Sequence, residues 1–468
     1  MDSTSKKLQL KSEVGLMGGV SLVAGVMIGS GIFMSPQTVM VSIGSPGASL
    51  VIWACCGLLA MLASLSYAEL GTVIRESGGE YIYIMRTSGN LMAFIFAFTS
   101  VLVVRPTGMA GLALSFAQIA IAPFYENCTP PEVVLKSVAA LGLLILVIVN
   151  CLNVRISIAV STILMAVKFL ALLVMSIGGM VLLIQGNTDN LQNAFEGTSQ
   201  SVGVIVMAFY QCLWSYDGWN NLNSVTEELK RPEVNLPRAL MIAIPMVTIL
   251  YLLVNVSYLT VMTPREMMVS SAVAVTWGNK VLGSWGWVMS TAAALSSFGS
   301  LNGSFFSGGR VCFVAAREGH MPNILAMAHV RRLTPSPALI FTTIISLIVL
   351  IPGDFQGIVN FFSFTAWFFY GLTISGLLYL KIKFPDLPRT YTVPIFIPIL
   401  VLLAAVFLVL APIIDNPQLE YLYVTLFILS GALIYIPLIH FKLCPYLLDK
   451  LTVFLQLLLE VVPAEKNV

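Results

Sequence analysis

The chain has 468 residues, of which 58% are hydrophobic and only 10% are charged, and its mean hydropathy is +0.92. Soluble domains carry about 25% charged residues, so this composition excludes a soluble globular protein. The formal net charge of +2 gives no sign of nucleic-acid binding. The polar N-terminus lacks the cleavage site of a signal peptide, and we expect the first spanning helix to act as the signal anchor.

Apolar stretches of the length that a membrane-spanning helix needs, about 20 residues, recur along the chain. The sequence predicts an all-α membrane protein with twelve transmembrane helices. A polar N-terminal segment, 1–13, precedes them, and we expect 446–468 to form a cytosolic amphipathic helix and a tail. The predicted spans are 14–42, 48–74, 88–121, 133–153, 158–184, 200–225, 238–262, 283–313, 336–352, 356–379, 393–414 and 419–441.

Lysine and arginine residues are concentrated in alternate loops, and this bias predicts orientation because cytosolic loops carry the excess. With a cytosolic N-terminus, the extracellular loops hold only Lys136, Arg265 and Lys280. We therefore expect both termini to be cytosolic. The loops on the cytosolic side hold Arg75, Arg86, Arg155, Lys230, Arg231, Arg238, Arg317, Arg331, Arg332, Lys381, Lys383 and Arg389.

Two of the twelve spans are interrupted at mid-membrane depth, the first by GSG at 29–31 and the sixth by YDGW at 216–219. Irregular backbone in a membrane needs cover from protein or a water-filled cavity, and paired breaks point to a transporter's binding site. The pattern predicts a 5+5 inverted repeat, 14–184 and 200–379, with two further helices in 393–441. A plain twelve-helix bundle with accidental glycines is the less favoured alternative.

The first break offers a site for the carboxylate of an amino acid. Unwinding at 28–31 frees backbone amides, and the positive N-terminal end of the following half-helix attracts an anion. Ser30 adds a hydroxyl donor, and the glycines let a ligand approach the backbone closely. Small-residue helix packing is the alternative explanation. The substrate-binding residues predicted here are Met27, Ile28, Ser30 and Gly31.

The second break places an ionisable residue, Asp217, deep in an apolar segment. Such residues are costly in a membrane and indicate function, here pairing with a cationic substrate side chain. The carbonyl groups that end the first half-helix suit an ammonium group, and the ring of Trp214 could gate the pocket. The alternative for Asp217 is a structural ion pair with Arg105 or Lys168. The substrate-binding residues predicted here are Trp214, Tyr216, Asp217, Gly218 and Asn220.

Several short motifs carry a family resemblance that extends over almost the whole chain. They are VMIGSGIF (26–33), SGGEYIYI (77–84), RPT (105–107), LWSYDGWNNLN (213–223), TEELKRPEVNLPRA (226–239), REGHMP (317–322) and RRLTPSPA (331–338). With them the chain resembles the light subunits of heteromeric amino acid transporters, in the amino acid–polyamine–organocation superfamily. That resemblance implies a LeuT-type fold and sodium-independent exchange by alternating access. We expect no cofactor and no bound metal.

Within this family the chain is most similar to the b(0,+)-type branch, through Asp217 and the tail LLLEVVPAE (457–465). The similarity implies import of cationic amino acids and cystine in exchange for neutral amino acids at the plasma membrane, with the apical membrane of epithelial cells as one option. Val26 departs from the threonine of close relatives, which keeps open a neutral or aromatic exchanger. A channel is less favoured, and we do not expect an enzyme because catalytic motifs such as HExxH and GxSxG are absent.

Lys168 lies in the middle of the fifth span, where a buried ammonium needs a partner. In sodium-coupled members of this fold a sodium ion bridges the first and eighth helices, so the resemblance implies that Lys168 is a sodium surrogate. Snorkelling to the interface is the alternative. We interpret Arg105 as structural, for example as a partner for a carboxylate, and leave its role and that of Glu69 open. The aromatic run at 361–371 favours packing over gating. A polar stripe in the eighth span either lines a cavity or mediates packing, and it comprises Ser296, Ser297, Asn302 and Ser304.

Of the seven cysteines, Cys128 is the one in a loop predicted to be extracellular. An unpaired cysteine in an oxidising compartment indicates an intermolecular disulfide, with an inert free thiol as the alternative. Light subunits of the family carry a cysteine in this loop. The resemblance therefore implies a type II membrane glycoprotein heavy subunit, rBAT-like or alternatively 4F2-like, bound through Cys128. The other expected partners are amino acid substrates and the lipid bilayer.

Overall fold

The computed structural model describes residues 15–76, 78–125, 128–331, 334–415, 417, 419–437 and 445–463. The predicted N-terminal segment 1–13, Arg332 and the tail 464–468 lie outside the described residues. The first half of the chain contains the helices α1 (Leu16–Met27), α2 (Gly31–Ile43), α3 (Pro46–Val73), α4 (Glu80–Ser88), α5 (Asn90–Thr99), α6 (Arg105–Ile121), α7 (Glu132–Leu152) and α8 (Val154–Ile184).

The described residues of the second half form ten further α-helices and two short strands. The strands are β1 (Met327–His329) and β2 (Val461–Pro463). The helices are α9 (Val202–Tyr216), α10 (Pro232–Val261), α11 (Pro264–Val269), α12 (Val273–Val281), α13 (Gly286–Arg317), α14 (Ser336–Leu350), α15 (Phe355–Lys383), α16 (Phe396–Asp415), α17 (Leu419–Tyr435) and α18 (Pro445–Leu459).

Seven apolar stretches of helix in the described part of the chain are long enough to cross a membrane, and the bent pair α1 and α2 adds an eighth if it is one span. One of the seven runs without interruption from α5 through a π-helical turn, Ser100–Val104, into α6. α9, α14 and α17 are apolar but shorter. The chain is therefore an all-helical, multi-pass membrane protein, as the composition predicts. The count of twelve spans stays a prediction.

Both predicted interruptions are present. α1 and α2 are bent by 47° where they meet, at residues 28–30. α9 ends at Tyr216, and after a turn the chain continues as a 3₁₀-helix, Asn221–Glu228. Gly29 and Ser30 in the first break, and Asp217 and Gly218 in the second, are poor helix formers and weaken the helix at these points.

The two broken segments meet at the centre of the helix bundle, where α2 packs against α9 and α1 packs against α10. The hydroxyl of Tyr251 on α10 lies 2.7 Å from the carbonyl oxygen of Met27 and 2.8 Å from that of Ser215. It therefore joins the backbone of both breaks. The ring of Tyr251 is fully buried and contacts the rings of Trp53 and Tyr216, with centroid separations of 5.6 and 5.0 Å. This aromatic core fixes how the breaks lie relative to each other.

Glu69 on α3 proves to be part of a buried ion cluster. Its carboxylate oxygen Oε1 lies 2.9 Å from Lys381 Nζ and 3.4 Å from Arg389 Nε. The side chain of Glu69 is fully buried, so two cations offset the cost of removing its charge from water. Because these partners come from α15 and the segment that follows it, the cluster ties that end of α15 to α3. We assign Glu69 a structural role.

The C-terminal segment contains a helix where one is predicted, and the start of the predicted tail forms a short strand. α18 ends at Leu459, Glu460 adopts a left-handed conformation with φ of 55°, and β2 then pairs antiparallel with β1. The carbonyl of Glu460 also accepts a hydrogen bond from the amide of Val330, at 3.1 Å. The sequence does not predict this strand, because it follows a leucine-rich helix directly and its partner lies in a distant loop. α18 itself exposes many apolar side chains, as expected of an interfacial helix.

Candidate functional site

The first break combines free backbone donors with an unpaired hydroxyl. The first turn of a helix leaves its N–H groups without a regular intrahelical acceptor. At the start of α2 the amide of Phe33 donates to the carbonyl of Ser30 at 3.1 Å, which leaves the amides of Gly31 and Ile32 as the candidate donors. Ser30 precedes this turn; its Oγ atom is buried and has no hydrogen-bond partner among the described residues. A buried polar atom without a partner is costly, so it marks a place where a ligand or water completes the bonding. Met27 and Ile28, the other predicted residues, are buried beside it.

Gly31 is where the two breaks come closest. A Cβ atom on Gly31 would lie 2.6 Å from the Cα atom of Ser215 on α9, closer than real Cβ atoms approach backbone. The first turn of α2 therefore lies directly against the last turn of α9, and the side chain of Ser215 contacts the backbone at Gly31. Ser215 Oγ is also buried, and the structure gives it no partner within the described chain. The donors of one break and the carbonyl end of the other thus border one small region.

Gly218 is required by the shape of the second break. Its φ is +107°, a conformation that other residues rarely adopt, and a Cβ atom would lie 2.6 Å from Cγ1 of Val26. Val26 on α1 therefore faces the second break directly, and it is 37% exposed although its neighbours on α1 are buried. The family resemblance suggests a polar substrate contact at position 26. This position faces the second break, and here its residue is apolar.

Trp214 separates the breaks from a cavity near the end of the bundle predicted to be extracellular. Its ring packs edge-on against the rings of Phe355 and Phe362, with centroids 6.2 and 5.1 Å apart. Phe355 also lines a cavity of about 290 Å³. Polar residues dominate the rim of this cavity, including Gln37, Gln118, Glu132, Lys136 and Asp354. Trp214 thus contacts a residue that lines the cavity, and its role as a gate stays a prediction.

Tyr216 contributes less than predicted. Its ring is fully buried, and its hydroxyl donates to the carbonyl of Trp53 at 3.0 Å. The side chain is thus part of the aromatic core, and only the backbone of Tyr216 is left for a ligand. The sequence could not separate these roles, because the motif alone does not say which way the ring points.

Asp217 and Asn220 belong to a cluster of charged and polar side chains on the other side of the second break. Asp217 Oδ1 accepts a hydrogen bond from the hydroxyl of Tyr370 at 3.0 Å. Asn220 Nδ2 donates to Oε1 of Glu80, the first residue of α4. Arg105 is near enough to lower the electrostatic cost of both carboxylates, but the described residues show no ion pair within 4.0 Å between Arg105 and either of them. We call Glu80, Arg105, Asp217 and Asn220 the charged cluster.

The members of the charged cluster are half-buried, whereas the aromatic residues around them are buried. Tyr67, Trp219 and Tyr370 surround the cluster and pack edge-on against one another, with ring centroids 4.7 to 6.3 Å apart. Polar groups that stay accessible inside an aromatic wall border a space and are not packed core. The arrangement can hold a charged group of a ligand.

Two members of this arrangement were missed by the sequence argument. Glu80 lies outside the predicted spans, although it stands within the quoted motif SGGEYIYI after Gly78 and Gly79, which both have positive φ. Tyr370 lies in the aromatic run at 361–371, where packing was favoured. Most of that run does pack in the core, but the hydroxyl of Tyr370 serves Asp217. A carboxylate directly after paired glycines was the available signal for Glu80.

Lys168 bridges two elements of the first and eighth predicted spans. Its Nζ donates to the carbonyl of Gly25 on α1 at 3.0 Å and to Oγ of Ser300 on α13 at 3.1 Å. The side chain is only 4% exposed, which excludes snorkelling. Within the described chain, the two partners of Lys168 are Gly25 and Ser300, not Asp217. The alternative in which Lys168 and Asp217 form a structural ion pair is therefore wrong.

The polar stripe of the eighth span mediates packing at Asn302. Asn302 accepts from Asn150 Nδ2 at 2.9 Å and donates to Ser161 Oγ at 2.7 Å, joining α13 to α7 and α8. It is 1% exposed and its network is satisfied, so it does not line a cavity. The structure shows no group of three or more His, Cys, Asp or Glu that could hold a metal ion within the residues it describes.

Comparison with known proteins places the chain in a family. Residues 15–437 match the model of the amino acid permease family, to which the chain therefore belongs. It is 49% identical to b(0,+)-type amino acid transporter 1 of Mus musculus over 464 residues, 99% of this chain and 95% of the relative. It is 40% identical to the cystine/glutamate transporter of Homo sapiens, covering 98% and 92% of the two chains.

A third relative is the human large neutral amino acids transporter small subunit 2, 43% identical over 87% of this chain and 77% of the relative. All three are named as transporters and none as an enzyme. The predicted membership in a family of amino acid transporters is confirmed, and with it the assignment of the chain to a non-enzymatic class.

Proposed function

We propose that the protein is a sodium-independent amino acid exchanger that works by alternating access. The observation that carries this proposal is the meeting of two broken helices, with free donors and Ser30 on one side and carbonyl groups on the other. Such a pair binds the two charged groups of an amino acid: the substrate carboxylate at the N-terminus of α2, the ammonium at the C-terminus of α9. Each carbonyl oxygen has a second lone pair for this bond.

The charged cluster binds the side chain of the substrate. Asp217 supplies a carboxylate for a cationic side chain, which supports import of lysine, arginine and cystine in exchange for neutral amino acids. The names of the relatives at 49% and 40% identity, a b(0,+)-type and a cystine/glutamate transporter, support the same substrate class. Val26 and the relative named for large neutral amino acids support the second candidate, a neutral or aromatic exchanger.

The architecture that we propose for this function is the LeuT-type one, with twelve helices, a five-helix inverted repeat and both termini in the cytosol at the plasma membrane. In it, Lys168 takes the place of a sodium ion between the first and eighth helices, because its ammonium already joins α1 to α13. α18 lies along the cytosolic face, where its exposed leucines meet lipid.

The exchange activity can be tested in proteoliposomes that are loaded with leucine. We expect uptake of labelled arginine and cystine that saturates, that internal leucine stimulates several-fold, and that is unchanged when choline replaces sodium. Preference for neutral or aromatic substrates over arginine would establish the second candidate. Flux that neither saturates nor responds to internal leucine would mean a channel, and the proposal would be wrong.

We further propose that Cys128 links the protein to a glycoprotein heavy subunit, rBAT-like or 4F2-like. Cys128 is exposed, in the loop that precedes α7. One relative is itself named a small subunit, which supports a heteromeric assembly. The loop lies at the same end of the bundle as Lys136, at the end predicted to be extracellular, where a disulfide is stable.

Cys128→Ser is expected to abolish the covalent complex. On non-reducing gels of cells that produce both subunits, the band that contains both should disappear and the two separate bands should remain. Cys55→Ser is the matched control, because Cys55 is also exposed but lies within α3, and this variant should keep the band. A complex band that survives in Cys128→Ser would show that the bridge is made elsewhere.

A further inference from the structure

One face of α10 lies against the first break. Tyr251 and Tyr258 are separated by about two turns of helix, so their side chains leave α10 on the same side. The hydroxyl of Tyr251 donates to the carbonyl of Met27, at the end of α1. The hydroxyl of Tyr258 donates to the carbonyl of Ile32, in the first turn of α2, at 2.9 Å. The two tyrosines therefore contact the backbone on either side of the interruption at 28–30.

The contact at Ile32 has a local cause in the sequence of α2. Pro36 lies within this helix, one turn after Ile32, and it has no N–H group to donate to the carbonyl of Ile32. The hydroxyl of Tyr258 takes the place of the missing donor. Because α2 needs this bond, the position of α10 along the first break is fixed.

Asn255 lies between the two tyrosines on the same face of α10. It follows Tyr251 by one turn and precedes Tyr258 by one turn, and residues at these spacings are neighbours on a helix surface. Asn255 is therefore level with the interruption that the tyrosines flank. Its Nδ2 donates to the carbonyl of Tyr251 at 2.7 Å, within its own helix. Its Oδ1 is buried and has no hydrogen-bond partner among the described residues.

The missing partner of Asn255 Oδ1 must be a hydrogen-bond donor, because an amide oxygen only accepts. The hydroxyl of Ser30, in the interruption itself, is also buried without a partner in the described chain. A direct bond between these two atoms would satisfy both, and the structure does not contain one. Buried polar atoms are nearly always hydrogen-bonded, so two that border one interruption indicate a small polar group between them.

We propose that Asn255 is a substrate-positioning residue that acts through a bound water molecule. The water donates one hydrogen to Asn255 Oδ1 and the other to the carboxylate of the amino acid substrate, and its oxygen accepts from the hydroxyl of Ser30. Three polar partners are what a buried water typically has. Asn255 needs the water because its oxygen and a carboxylate are both acceptors. The inference rests on the exchange function proposed above and extends the carboxylate site to α10.

The role of Asn255 differs from that of Asp217 in the substrates that it affects. Every amino acid substrate has the carboxylate that the water contacts, whereas only a cationic side chain pairs with Asp217. A variant without the acceptor at 255 should therefore weaken the binding of arginine and leucine by the same factor. A residue that serves only the fold would lower the amount of active protein and leave the affinity of the remainder unchanged.

Asn255→Leu removes the acceptor at nearly constant side-chain volume. In leucine-loaded proteoliposomes it should raise the KM for external arginine and for external leucine about tenfold each, as expected for one hydrogen bond to a charged group, and leave the maximal rates nearly unchanged. Asn255→Ser should restore most of the affinity, because its hydroxyl can donate to the carbonyl of Tyr251 and still accept from the water. Asn235→Leu, in the first turn of α10, is the matched control and should not change either KM.

The water itself can be observed by cryo-electron microscopy of the protein with bound leucine. A map that resolves ordered waters should show one within hydrogen-bond distance of Asn255 Oδ1 and of the leucine carboxylate, and none there in Asn255→Leu. An unchanged KM in Asn255→Leu, or such a map without this water, would overturn the inference and leave the exchange function standing. If the unmodified protein exchanges neither arginine nor leucine, the proposed function fails, and the inference fails with it.

Discussion

Lys168→Ala is expected to lower exchange of all substrates by roughly ten- to hundredfold, because a charge-assisted hydrogen bond to a buried partner is worth about 1.5–3 kcal/mol. The variant leaves the carbonyl of Gly25 and the hydroxyl of Ser300 without the ammonium that joins α1 to α13. Since the carboxylate site at the first break depends on the position of α1 and every amino acid substrate uses that site, arginine and leucine should be affected alike. Exchange in proteoliposomes, normalised to the amount of incorporated protein, measures the loss.

Ser300→Ala removes one of the two contacts and should cause a smaller loss. Lys280→Ala is the matched control, since Lys280 pairs with Glu266 at the surface and should have no effect on exchange. If Lys168 replaces a sodium ion, exchange by the unmodified protein should not respond to sodium. Strong stimulation by sodium would refute the role even if Lys168→Ala were inactive.

Asp217→Asn is expected to reduce arginine exchange by about thirtyfold or more and leucine exchange by less than about threefold. Removing one partner of a buried charge pair costs about 2 kcal/mol or more, and only the cationic substrate loses a pair here. Tyr370 can still hydrogen-bond to the amide oxygen of the new side chain, so the local structure is preserved. The measurement is the arginine-to-leucine ratio at matched concentrations.

Asp415→Asn, at the end of α16, provides a comparison at the other end of α9. Asp415 accepts from the amide of Gly203 at 2.7 Å, at the opposite end of α9 from Asp217, so this variant should leave the ratio intact. Equal losses of arginine and leucine in Asp217→Asn would instead mean that Asp217 serves the fold, through Tyr370 and the charge of Arg105.

The features that the sequence predicts well are those in which a local pattern violates the rules of a lipid-spanning helix. Glycines and an aspartate within apolar runs disclosed both breaks, because helices in lipid rarely tolerate such residues without a reason. Lys168 was identified for the same reason, because a charged residue in the middle of an apolar span needs a partner. Its contacts with α1 and α13 then followed from the resemblance to a known fold, and the structure contains both of them.

The features that escaped prediction depend on tertiary contacts between distant segments. Glu80 lies in a short helix between spans, and nothing local to it shows that Asn220 holds it. The ring of Tyr216 and the hydroxyl of Tyr370 differ in role although both occur in aromatic runs, because each role is set by the direction of the side chain. The three-residue strand β2 carries no periodicity by which it could be found.

The pairing of β1 with β2 also constrains the order in which the protein folds. The two strands are far apart in sequence, and contacts between distant segments form late because the chain must close a long loop first. Until β2 docks, β1 presents an unpaired strand edge beside the end of α13, and such edges attract other chains. Completion of this two-stranded sheet is therefore expected to be one of the last steps of folding, and it attaches the C-terminal segment to the loop that follows α13.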